Sequence, residues 1–146
     1  MTLWRISRHR DMNGAGGRSA AGRWHHAGLP VVYLAETPAA ALLEVCVHTS
    51  ANDVPPDFVL LRLEGPDAAT HRLKMGDLPE DWRVRLEVTR DMGTAWLESQ
   101  ASVLLEVPSA IVPETSNYLF NPLHRQAGAF RIAAAFPCPF DGRLKR

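Results

Sequence analysis

Cysteine is scarce in this chain. Cys46 and Cys138 are the only two in 146 residues, far apart and in no CxxC pair. That excludes the disulfide framework that staples small secreted domains, and both are expected as free thiols in the cytoplasm. No apolar run approaches the roughly 18–20 residues needed to cross a bilayer. The first eight residues lack the apolar core of an export signal. Charge of one sign is not in excess: 16 Lys+Arg balance 16 Asp+Glu, a formal net charge of +0. Proteins that grip nucleic acid mainly through charge carry a basic surplus, so direct nucleic-acid binding is not expected. The six histidines form no HExxH and meet no CxxC, so no metal site is expected. No Gly-x-Ser-x-Gly elbow of an α/β-hydrolase occurs. Gly14-x-Gly16-Gly17 lacks both the GK[ST] ending and the GxGxxG spacing of phosphate-binding loops, and reads as a flexible loop.

What is present is an ordinary globular mixture, 46% hydrophobic and 22% charged, with no repeat and no linker. The length suits one domain over residues 1–146. Alternation predicts a strand at 3–7, with Leu3, Arg5 and Ser7 on one face and Trp4 and Ile6 on the other. A glycine-rich loop follows over 11–22. A second strand is expected at 31–35. Thr37-Pro38 is a helix start, a hydroxyl cap followed by proline at the first helical position, for a helix over 38–48. Pro55-Pro56 marks a loop, and 58–64 reads as a strand. Helical periodicity runs over 79–100, with Gly93 as a break or kink. Further strands are expected at 102–107, within 109–122, and at 128–136. Strands and helices mixed without regular βαβ alternation predict an α+β domain, a mixed sheet flanked by helices.

Glu44 stands out. Its helical neighbours are Ala41, Leu42, Leu43, Val45, Cys46 and Val47, so its carboxylate is expected half-buried and in need of a partner or a task. A structural ion pair is the plainer alternative. Arg5 sits mid-strand and Arg23 follows the glycine-rich loop. Arginine's planar fork suits phosphate or carboxylate, though most arginines are simply surface charge. Tyr33 shares a strand face with Val31 and Ala35, where a core aromatic is the default. Ser109 follows Pro108 and on its own reads as a turn residue. Trp24, Trp82 and Trp96 are expected in the core.

Taken in order, Arg5, Gly22-Arg23-Trp24, Val32-Tyr33-Leu34-Ala35-Glu36-Thr37-Pro38, Leu42-Leu43-Glu44-Val45 and Val107-Pro108-Ser109-Ala110-Ile111-Val112-Pro113-Glu114 form a recognisable set. The set resembles the RES domain family, toxins of bacterial toxin–antitoxin pairs named for an Arg, a Glu and a Ser. Asn117-Tyr118-Leu119-Phe120-Asn121-Pro122-x-His124 resembles the family's following block. The likeness spans about residues 3–136. It implies a fold like that of ADP-ribosyltransferase toxins, NAD as substrate, an Xre-type antitoxin as partner, and a homodimer. It also implies roles. Glu44, Arg23 and Tyr33 would carry catalysis, and Arg5, Arg23, Tyr33 and Ser109 would hold NAD. Glu44 would stabilise the positive charge that builds on the ribose as nicotinamide leaves. The acceptor is either water or a side chain of a target protein. Two other readings stand beside this one, a ribonuclease-type toxin and a non-catalytic interaction module.

Overall fold

Strand propensity is concentrated in short runs, and the structure pairs all of them into one sheet. In this computed structural model, residues 1–49, 57–68, 70–138 and 140–144 are described. The strands are β1 (Thr2–Ser7), β2 (Val32–Ala35), β3 (Val59–Glu64), β4 (Thr70–Arg72), β5 (Leu104–Pro108), β6 (Ser116–Phe120) and β7 (Arg131–Pro137). The helices are α1 (Ala15–Ser19), α2 (Pro38–His48) and α3 (Leu86–Ser99). The sheet order is β4-β5-β6-β2-β1-β3-β7. Every neighbouring pair is antiparallel except β4 and β5, so the sheet is mixed and the class is α+β.

Register sorts the side chains, because paired residues project to the same face and successive residues alternate. Trp4 pairs with Ala35, Ala35 with Asn117, and Asn117 with Val107. Tyr33 pairs with Leu119, and Leu119 with Leu105. These residues therefore share one face. Leu3, Leu34, Leu61, Leu63, Leu104 and Phe120 occupy the other and form its core cluster. On the first face Leu105, Val107 and Leu119 pack with Trp24, Trp82, Trp96 and Leu97. The three tryptophans are buried as expected, each burying enough apolar area to contribute several kcal/mol, about 25 cal/mol per Å².

α2 matches its expected bounds. Thr37 Oγ1 accepts the Ala40 N–H at 3.0 Å, and Pro38 opens the first turn. The expected helix over 79–100 is shorter: α3 begins at Leu86. Residues 79–85 instead form successive tight turns, with Trp82 N–H donating to Pro79 and Arg85 N–H to Trp82. This path sends Trp82 fully into the core. Gly93 is not a break. α3 runs through it, and a Cβ there would overlap the Trp24 carbonyl oxygen. Its glycine permits close approach, not bending. The glycine-rich loop holds α1, and β4 has no counterpart among the expected strands because Thr70, His71 and Arg72 carry no alternation signal. β7 starts later than expected, after a 3-10 turn at Ala127–Ala129. The Pro55-Pro56 loop lies outside the described residues. Both cysteines are free thiols, Cys46 buried in α2. No helix among the described residues is long and apolar enough to cross a membrane.

Candidate active site

α2 and α3 both lie over the face that carries Trp4, Tyr33, Ala35 and Asn117, and they leave a cleft of about 920 Å³ between them. Such a volume is at the upper end of ordinary small-ligand sites. The sheet supplies the floor. Glu44 and His48 project from α2, Arg90 from α3, and Arg23 and Trp24 from the segment before β2. The lining is apolar between these charges, with Ile6, Ala41, Val45 and Ile111. The structure thus brings Glu44, Arg23 and Tyr33 to one cavity.

Glu44 is held on two sides. Asn117 Nδ2 donates to its Oε1 at 2.8 Å, and His48 Nε2, one turn on, lies 3.5 Å from its Oε2. Burial by itself pushes the carboxyl pKa up. The contacts from His48 and Asn117, with the charge of Arg23, outweigh burial and hold it below the usual value of 4.5. His48 is raised above 6.5, chiefly by the Glu44 carboxylate. The acid is therefore ionised at neutral pH and half-buried, the combination in which a carboxylate acts most strongly on a nearby positive charge.

Tyr33 is anchored by its hydroxyl. The Trp24 N–H donates to it at 3.0 Å, and His25 Nδ1 lies 2.7 Å away. Burial pushes its pKa up to about 12, so the phenol stays protonated and offers the cleft a neutral ring. Arg23 is fixed through its backbone and its head. Thr89 Oγ1 donates to the Arg23 carbonyl at 2.6 Å, and Arg23 Nη1 donates to the Arg83 carbonyl at 2.9 Å. Gly22 precedes it because a Cβ there would overlap the Tyr33 hydroxyl.

The two remaining expected residues are placed differently. Arg5 touches the edge of the cleft, but alternation from Trp4 puts its side chain on the Leu3 face. There its Nη1 donates to the Asp11 carbonyl at 3.1 Å. Ser109 is buried, and its Oγ accepts the N–H groups of Ile111 and Val112, closing the turn after β5. It borders a smaller side pocket of about 320 Å³ that shares Glu44 and Asn117 with the cleft.

Three further cleft residues have no role assigned by the sequence reading. Arg90 Nε donates to the Gly22 carbonyl at 2.7 Å, which aims a second guanidinium at the cavity beside Arg23. Asn117 and His48 complete the grip on Glu44. His48 was legible as the residue four positions after Glu44 on one helix face. Asn117 and Arg90 reach the site only through tertiary folding.

The mixed sheet thus carries, among the described residues, a cleft that holds a half-buried, ionised glutamate. The chain superposes with a TM-score of 0.77 and 20% identity on a chain of the M. tuberculosis MbcT–MbcA toxin–antitoxin complex, covering 98% of this chain and 85% of that one. It is 46% identical over 146 residues to the protein called Toxin Res of Pseudomonas putida, covering 99% of each. It is 34% identical over 156 residues to the Prs ADP-ribosylating toxin of a Sphingobium species, covering 99% of this chain and 97% of that protein. The RES domain matches residues 2–141. The chain belongs to the RES domain family.

Proposed function

We propose that this protein is the toxin of a toxin–antitoxin pair and that it cleaves NAD at the nicotinamide–ribose bond. The observation that carries the reading is the Glu44 carboxylate. It is held ionised by Asn117 and His48 inside a cleft that also presents Arg23, Arg90 and the Tyr33 ring. NAD has a pyrophosphate, ribose hydroxyls and a cationic nicotinamide. Arg23 and Arg90 provide charge-assisted hydrogen bonds to the phosphates. The Tyr33 ring provides a face for the nicotinamide, strengthened by its positive charge. Glu44 accepts a ribose hydroxyl and faces the anomeric carbon.

As the C–N bond breaks, its electron pair leaves with nicotinamide and positive charge develops on the ribose. A fixed carboxylate stabilises that charge without reorganising. The acceptor, water or a target side chain, then bonds to the same carbon and gives up its proton. Arg5 and Ser109 support the site in this reading, Arg5 by holding residue 11 and Ser109 by shaping the wall behind Glu44. The name of the Sphingobium relative, an ADP-ribosylating toxin, supports NAD as substrate. Neutralisation by an Xre-type antitoxin, dimerisation and a cytoplasmic location belong to the same proposal.

The test is to incubate purified protein with NAD and measure free nicotinamide. Release is expected, and Glu44→Gln, which keeps the shape and removes the charge, should lower kcat by about a hundredfold or more while the fold is retained. A wild-type protein that binds no NAD and releases no nicotinamide ends the reading.

A further inference from the structure

His25 is buried to 2% exposure, two residues after Arg23 in sequence, while its neighbour His26 is exposed. Its two ring nitrogens have opposite jobs. Nε2 lies 3.0 Å from the Gly17 carbonyl, which can only accept, so Nε2 carries the proton. Nδ1 is then bare in the neutral ring. It receives the Gly22 N–H at 3.2 Å and lies 2.7 Å from the Tyr33 hydroxyl, which donates to it. The Tyr33 oxygen in turn accepts the Trp24 N–H. One imidazole therefore joins α1 to the Gly22 backbone before Arg23 and to the tyrosine on the cleft floor, whose hydroxyl in turn holds the Trp24 N–H after it. The Tyr33 hydroxyl finds its acceptor on Nδ1 only when the ring is neutral with this tautomer, whereas the Gly22 N–H also reaches the His25 carbonyl at 3.1 Å.

We propose that His25 is a positioning residue for substrate binding. Through Nδ1 it fixes the Tyr33 ring in the geometry that meets NAD, and Nδ1 shares the Gly22 N–H with the His25 carbonyl. The inference rests on the functional reading above and extends it to a residue that does not itself face the substrate. Its weight falls on KM, because Tyr33 and Arg23 hold the substrate while Glu44 acts on the bond.

The two nitrogens can be replaced separately. Asparagine places its Oδ1 near the position of Nδ1, so His25→Asn keeps an acceptor for Tyr33 and Gly22 and loses the donor to Gly17. Glutamine places its Nε2 near the ring Nε2, so His25→Gln keeps the donor and loses the acceptor. The KM for NAD, read by nicotinamide release, should rise about tenfold in His25→Gln and much less in His25→Asn. In a Tyr33→Phe background, which removes the hydroxyl and leaves the ring, His25→Gln should add less than about twofold, since residues acting through one bond are not additive. Thermal unfolding of each variant is followed in parallel.

An equal KM rise in His25→Asn and His25→Gln overturns the proposal. So does a His25→Gln effect of the same size with and without the Tyr33 hydroxyl, which marks a general packing role. If His25→Gln does not fold, Tyr33→Phe decides, because it breaks the same bond: a raised KM supports the proposal and an unchanged KM overturns it. Wild-type protein that releases no nicotinamide removes the functional reading, and the proposal with it; active wild-type protein with either result above removes the proposal alone.

Discussion

Asn117 donates from Nδ2 to Glu44 Oε1 at 2.8 Å, joining β6 to α2 across 73 residues of chain. An ionised carboxylate can only accept, so the asparagine must turn its NH₂ toward it. Its own Oδ1 is then left buried with no partner among the described residues. An orphaned acceptor of this kind costs about 1–3 kcal/mol, which the fold tolerates in order to aim the acid.

Removing that grip should shift the pH dependence of catalysis. Glu44 acts as its anion, so activity falls on the acid side as the carboxyl protonates. In the wild type, burial pushes the pKa up and the contacts with His48, Asn117 and Arg23 bring it below 4.5. In Asn117→Ala burial meets less opposition, so the acidic limb of kcat against pH should move to higher pH. At neutral pH kcat should fall about tenfold, the worth of one hydrogen bond to a charged group. An acidic limb that stays in place would show that Asn117 does not hold the acid.

The Glu44–His48 pair makes a second, smaller pH signature, in stability. The folded pKa of Glu44 is depressed, so its contribution is present above about 4.5 and is lost as pH falls through the folded value. The folded pKa of His48 is raised, so its contribution is present below about 6.5 and is lost as pH rises through the folded value. Both are complete only between those two limits. The His48 side chain is 70% exposed, so solvent screening keeps the pair to about 0.5 kcal/mol or less. His48→Ala should therefore lower Tm slightly near pH 5.5 and leave it unchanged near pH 8, which a pair of thermal scans can check.

Much of this site was written in local sequence. Thr37-Pro38 marks the start of α2, an apolar helix around one acid marks Glu44, and alternation in β2 gives Tyr33 a strand face, while its role comes only with the family resemblance. These signals act over a few residues, where capping and periodicity dominate. Arg23 and Ser109 were singled out by motif, and folding gave them contrasting surroundings, an open cleft wall for one and a buried turn for the other. Arg90 carries no sequence signal and Asn117 stands in a family-like block without a role, because what they do depends on α3 and β6 arriving beside α2 and β2. α3 starts later than the periodicity predicts for a related reason. The periodicity of 79–85 is real, but burying Trp82 decides the backbone path there, and tertiary packing overrides local preference.

Arg5 and Arg90 offer a direct comparison between two arginines of unlike placement. Arg90 points into the cleft from α3, pinned by the Gly22 carbonyl. Arg5 sits on the opposite sheet face, bonded to the Asp11 carbonyl, and burial lowers its pKa. Arg90→Ala should raise the KM for NAD about tenfold or more, and the wild-type KM should climb with salt as the phosphate contacts are screened. Arg5→Ala should instead lower Tm by several degrees and leave KM within about twofold. A KM rise in Arg5→Ala equal to that of Arg90→Ala would assign Arg5 to the substrate.

Gly93 connects stability to the same site. α3 lies so close to the backbone of residue 24 that an added Cβ would overlap the Trp24 carbonyl oxygen, and backbone cannot swing aside as a flexible side chain does. Gly93→Ala gains helix propensity, about 1 kcal/mol, yet must push α3 away from Trp24. That separation loosens the packing of Trp24 against Trp82, whose ring centroids are 5.6 Å apart. It also strains the bond from Thr89 to the Arg23 carbonyl on the same helix. A net destabilisation of about 3 kcal/mol is expected, with a raised KM for NAD in whatever protein remains folded. Gly16→Ala is the matched control: it is also a helical glycine, but nothing lies within 4 Å of its added Cβ. It should leave the denaturant midpoint unchanged or raise it slightly. Equal midpoints for the two variants would show that α3 does not rest on the Trp24 backbone.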